Sequence, residues 1–150
     1  MQKLTIAAAA LTLTLAGCGT SADRTNYAYG QRDQSALANL QEARAILEDR
    51  DDSRAAARDE SDAVTAIDKA IGQIRTEAPE VNRGAMPPAA SHYNHADGLR
   101  RSEELLDAAD HDLRVESTPR GWRIDAIRYI EDARHFVSLA IDDRRDRDRY

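Results

Sequence analysis

Four stretches of this chain carry apolar residues three and four positions apart, the period of a helix with one buried face. Between Gln34 and Asp49, Leu37, Leu40, Ala43 and Leu47 form such a stripe, and Ile46 widens it. Asp33 or Ser35 reads as the cap of this first helix, since a short polar side chain satisfies the free N–H groups of a first turn. From Asp59 to Glu77 the stripe is Val64, Ile67, Ile71 and Ile74, with Ala63 and Ala70 beside it. Pro79 ends this second helix by disfavouring helical geometry at Ala78. The third is predicted over His92 to Leu113, with Ser91 as cap and Ala96, Leu99, Leu105, Leu106, Ala109 and Leu113 as its apolar positions. Gly98 inside it costs about 1 kcal/mol relative to alanine. Thr118-Pro119 places a capping residue ahead of a proline and starts a fourth helix, which runs to about Asp143. Its inward positions are predicted to be Ile124, Ile127, Ile130, Ala133, Val137 and Ile141, with Tyr129 and Phe136 flanking them.

The intervening segments read as breaks. Residues 50–53 are charged, and residues 79–91 contain Pro79, Gly84, Pro87 and Pro88. That second connection is long for a helical bundle and is expected to cross one end of the molecule or to carry a lid-like role. Small and polar residues from Gly19 to Arg32 predict a flexible tether. The Asp- and Arg-rich end, residues 144–150, is predicted to be a disordered tail. Alanine is abundant and β-branched runs bounded by turn residues are missing, so no sheet is expected.

The second and fourth helices echo each other. Asp62-Ala63-Val64 answers Asp125-Ala126-Ile127, Ile67 answers Ile130, Ala70 answers Ala133, and Ile74 answers Val137, each pair 63 residues apart. The first and third match more loosely, with Leu40, Ile46 and Leu47 lying 59 residues before Leu99, Leu105 and Leu106. One hairpin alone cannot bury its apolar stripe, and a second copy supplies the missing surface. The expected fold is therefore all-α: an up-down four-helix bundle over residues 33–143, built from two repeated helical hairpins.

The N-terminus sets a different constraint. Lys3 is followed by an apolar run, Leu4 to Leu15, too short for a bilayer span of about 20 residues. The run ends in Leu15-Ala16-Gly17-Cys18, which resembles the lipobox of bacterial lipoproteins. The resemblance implies that residues 1–17 are a cleaved signal peptide, that Cys18 is lipidated, and that residues 18–32 link the lipid to the bundle. Gly19, in place of an aspartate, implies the periplasmic face of the outer membrane by the same family rule. Cys18 is the single cysteine, so no disulfide framework exists despite the oxidising compartment such a signal implies. Without residues 1–17 the chain loses one lysine and no acid, which moves the formal charge from -6 to -7. An acidic body of this kind lacks the basic surface that nucleic acid requires.

Gly121-Trp122-Arg123, followed by Ala126-Ile127, Ile130 and Ala133, also resembles a hairpin repeat in uncharacterised helical proteins of bacterial envelopes. Those proteins read Gly-His-Arg where this chain has Trp122, and the resemblance implies no reaction. Two clusters remain as candidate chemistry. His92 and His95, three apart, share a helix face and offer two ligands to a metal ion, short of the four that close a zinc site. Trp122 between Arg120 and Arg123 forms a candidate partner surface, because Trp and Arg are enriched where proteins dock. The alternative for Trp122 is that it covers the end of the core. No nucleophile elbow, haem-attachment motif or phosphate-cradling loop occurs. The expectation is a non-enzymatic, membrane-anchored envelope lipoprotein without cofactors, offering a helical bundle to an envelope protein or cell-wall component. The alternative expectation is a periplasmic metal-binding or stress-sensing bundle that uses His92 and His95.

Overall fold

The computed structural model describes residues 21–48, 56–81, 93–115, 121–147 and 149. Among these residues there are four helices and no strand: α1 Ser21–Glu48, α2 Ala56–Glu77, α3 His95–Arg114 and α4 Gly121–Arg147. They pack as a four-helix bundle of two hairpins, α1–α2 and α3–α4. Each helix touches two others. α1 packs on α2 and α3, and α4 packs on α3 and α2, which leaves α1 facing α4 and α2 facing α3 across the diagonals.

Side-chain contacts give the directions. Glu42 of α1 meets Arg101 of α3, and Ile46, one turn later on α1, meets Gly98, one turn earlier on α3. These two helices are therefore antiparallel, as are the helices within each hairpin. Up and down helices then alternate around the perimeter: α1 and α4 run one way, α2 and α3 the other. As a result α2 ends and α3 begins at opposite ends of the bundle. The connection between them joins those two ends rather than crossing one of them, which is why it is long. Its residues 82–92 lie outside the described part.

The core follows the predicted stripes. Leu37, Leu40, Ala43 and Leu47 of α1, Ala63, Val64, Ile67, Ala70, Ile71 and Ile74 of α2, Leu99, Leu105, Leu106, Ala109 and Leu113 of α3, and Ile127, Ile130, Ala133 and Val137 of α4 are all buried. Burying an aliphatic side chain of this size contributes roughly 1.5–3 kcal/mol, so these stripes are the main force holding the four helices together. Ala78 and Val81 close one end: Ala78 N–H donates to Ile74 O at 2.9 Å and Val81 N–H to Ala78 O at 3.0 Å, in a turn that ends α2. Among the described residues no helix is long and apolar enough to cross a membrane.

The helix ends differ from expectation in several places. α1 starts at Ser21, so the segment expected as a flexible tether is helical over residues 21–32. No proline interrupts it, and Gly30, worth about 1 kcal/mol against the helix, is outweighed by the packing that begins at Asp33. Asp33 is thus an interior residue of α1 and not its cap. α3 is capped by Asn94 rather than Ser91: its side-chain oxygen accepts from the Asp97 N–H at 2.9 Å, and its amide donates back to the Asp97 carboxylate. The first bond satisfies one free N–H of the first turn, and the second, between side chains, holds the capping amide in place. α4 continues to Arg147, into the expected tail, with Arg145 paired to Asp142 one turn back. Ile124, expected inside, is 56% exposed. The inward position belongs to Arg123, which lies four residues before Ile127 and seven before Ile130, in register with the stripe.

Candidate functional site

Three charged side chains are buried among the described residues: Asp33, Glu60 and Arg123, at 5%, 1% and 4% exposure. Each stands seven residues ahead of a fully buried aliphatic of its own helix: Leu40, Ile67 and Ile130 respectively. They therefore continue the apolar stripes by one more inward position, with charge in place of hydrocarbon. Arg123 Nη2 donates to both carboxylate oxygens of Asp33, at 2.9 Å and 2.8 Å. This pair crosses the diagonal between α1 and α4, whose backbones do not otherwise approach. A charge pair withdrawn from water in this way keeps its place because each partner neutralises the other.

Trp122 packs on the core beside this pair. The Arg123 guanidinium lies 5.1 Å from its ring centroid, within reach of a cation–π attraction. The indole Nε1 is buried and has no hydrogen-bond partner among the described residues. Trp122 thus covers the end of the core, and Arg123 faces inward. The partner surface expected at Trp122, Arg120 and Arg123 loses Arg123 altogether, because its only charged group is spent on Asp33 and its neighbours. Arg120 lies outside the described residues.

The other predicted positions fall elsewhere. His95 opens α3, at the end of the bundle opposite to the start of α4, since α3 and α4 are antiparallel. α3 is about 30 Å long at 1.5 Å per residue, so no single pocket brings His95 and Trp122 together. His92 and Cys18 lie outside the described residues. Among the described residues no group of three or more His, Cys, Asp or Glu side chains converges as metal ligands. His111 and His135 are exposed.

Two surface hollows flank α4. One, of about 410 Å³, lies between α3 and α4 and is lined by Leu99 and Ile141 with Arg100, Glu103, Arg144 and Arg145 around them. The other, also of about 410 Å³, lies between α2 and α4. There Lys69 Nζ stands 5.7 Å from the Tyr129 ring centroid, and Arg128 approaches the same ring at 5.3 Å. Lys69 is the only lysine after Lys3.

The outer surface is laced with ion pairs between helices. Arg44 of α1 pairs with Asp68 of α2 at 2.6 Å, Arg134 of α4 with Asp107 of α3 at 2.7 Å, and Arg114 of α3 with Glu131 of α4. The guanidiniums of Arg44, Arg101 and Arg114 are held above their ordinary pKa, chiefly by hydrogen bonds to Asp68, Glu104 and Asp110 respectively. They stay charged at every physiological pH, so these contacts set helix register and supply no proton donor. Exposed pairs of this kind add little stability individually.

Sequence reasoning missed the Asp33–Arg123 pair, because it assigned polar residues to caps and surfaces. The signal was the shared register: an acid and a base each seven residues before a core aliphatic of its own helix. No family model matches this chain, and neither a curated protein nor a solved structure matches it.

Proposed function

We propose that the protein is a lipid-anchored component of the bacterial cell envelope that carries a helical bundle for interaction with another envelope protein or with cell wall, and that it catalyses no reaction. The observation that carries this reading is Leu15-Ala16-Gly17-Cys18 placed three residues ahead of the first residue of α1. From Ser21 onward the link between a lipid on Cys18 and the bundle would be helix. From Ser21 to Arg32 that helix measures roughly 18 Å at 1.5 Å per residue, before the first core position at Asp33. The bundle would then be held off the membrane surface at a defined distance, on a helix tied to α4 through Asp33 and Arg123. Each acyl methylene contributes about 0.8 kcal/mol of membrane affinity, so two or three chains anchor the protein durably.

The test is fractionation of cells producing the full chain and its Cys18→Ser variant. The wild type is expected in the membrane fraction with a metabolically incorporated fatty-acid label, and the variant in the released fraction without it. Label that persists on the variant contradicts the reading.

A further inference from the structure

The seam between α3 and α4 is left open where α3 begins and α4 ends. Ala96 and Ser138 are small there, and the resulting hollow of about 410 Å³ has Leu99 and Ile141 as its apolar floor. Leu99 is buried and Ile141 half-buried. A volume of this size falls in the range of pockets that hold a small ligand. Charge surrounds the floor. Arg145 is paired with Asp142 at 3.5 Å. Arg100, Arg144 and Glu103 line the same hollow, and none of the three enters an ion pair among the described residues. Two guanidiniums and one carboxylate therefore border this space uncommitted, in a chain whose formal charge is -6.

We infer that this hollow binds a short cell-wall peptide carrying two carboxylates and one free amine, an inference that rests on the envelope reading above and names its partner. Charge complementarity selects this ligand. A wall peptide tied to its glycan through an amide at the N-terminus keeps a side-chain carboxylate, a terminal carboxylate and one side-chain amine. Two negative charges to one positive is the inverse of Arg100, Arg144 and Glu103. A guanidinium offers a planar fork of donors that matches a carboxylate, and Glu103 accepts from the ammonium. The alkyl parts of the peptide cover Leu99 and Ile141, which removes apolar surface from water. Position in the fold favours the same occupant over a lipid headgroup. Leu99 follows Gly98, whose added Cβ would stand 3.1 Å from Ile46 Cγ2, so the hollow lies at the level of Ile46. Ile46 comes 25 residues after Ser21 along α1, about 38 Å at 1.5 Å per residue. A lipid ahead of α1 would thus leave the hollow at the far end of the bundle from its own bilayer.

The test uses the full chain with Cys18→Ser, so its outcome does not depend on lipidation and it can fail separately from the fractionation experiment. The probe is the synthetic peptide N-acetyl-alanyl-glutamyl-lysine, titrated by calorimetry, with purified cell wall in a parallel sedimentation assay. Saturable binding is expected. Arg100→Gln combined with Arg144→Gln should weaken it at least about tenfold, the effect of losing a hydrogen bond to a charged group. Arg75→Gln, at an exposed position of α2 outside the hollow, should leave it unchanged. Acetylating the lysine amine should weaken binding to the parent chain but not to a Glu103→Gln variant. The paired arginine substitutions should also release the chain from cell wall while its helical circular dichroism stays the same. Absence of binding at millimolar peptide refutes the site, and binding indifferent to both arginines refutes its location. Peptide binding without retention on cell wall, or arginine-dependent binding to phosphatidylglycerol vesicles in place of peptide, refutes the occupant.

Discussion

Arg123 reaches from the third residue of α4 across the bundle to Asp33, the thirteenth of α1, and one guanidinium nitrogen serves both carboxylate oxygens at 2.9 and 2.8 Å. Both side chains are almost wholly withdrawn from water. Removing Asp33 takes both of these hydrogen bonds from a buried guanidinium, so Asp33→Ala is expected to destabilise the bundle by about 3–5 kcal/mol. The double substitution Asp33→Leu with Arg123→Met should recover most of that loss, since an apolar pair of similar volume avoids the desolvation cost. Urea midpoints of the two variants decide this, and a single variant within about 0.5 kcal/mol of wild type would show the pair to be idle.

The centre of the α2–α4 face is the second place to probe. Ile67 and Ile130 are fully buried and equivalent by the repeat. Ile67→Ala is expected to cost about 2–5 kcal/mol through the cavity it leaves. Ile67→Asp or Ile130→Asp should abolish folding, because an unpaired buried carboxylate costs a large part of a stability of 5–15 kcal/mol. Circular dichroism would show the loss of helix; an unchanged melting temperature would misplace the inward face.

Two glycines within helices should respond to alanine to different extents. A Cβ at Gly72 on α2 meets nothing within 4 Å, so Gly72→Ala is expected to raise stability by about 0.5–1 kcal/mol. At Gly98 the added atom stands 3.1 Å from Ile46 Cγ2, so the Ile46 side chain has to shift by a few tenths of an ångström to admit it. Gly98→Ala should therefore gain less than Gly72→Ala, and Gly98→Leu should destabilise. Thermal melts rank the three variants; a gain at position 98 equal to that at 72 would deny the close approach.

These residues also mark how far the sequence was legible. Apolar periodicity identified the inward faces of all four helices because aliphatic side chains have one favourable place, away from water. It failed where a charged pair occupies that place. Asp33 read as a cap and Arg123 as surface, and Ile124 was put inside when the register seven before Ile130 points to Arg123. The start of α1 was missed for a related reason. Residues 21–32 carry no apolar stripe, and helix there follows from continuity with the packed part of α1, which local composition does not report. The order of helices around the bundle was not legible at all, since it depends on which hairpin faces meet. The proposed anchor and partner leave no mark on the bundle's own apolar pattern; the proposal of an anchor comes from Leu15-Ala16-Gly17-Cys18 alone.

The most direct measurement is the intact mass of the protein extracted from cell membranes. The account predicts a polypeptide that begins at Cys18, heavier than its amino acids by a glyceryl group and its acyl chains, with all added mass on the N-terminal fragment after proteolysis. An N-terminus elsewhere, or a Cys18 recovered as a free thiol, would contradict it.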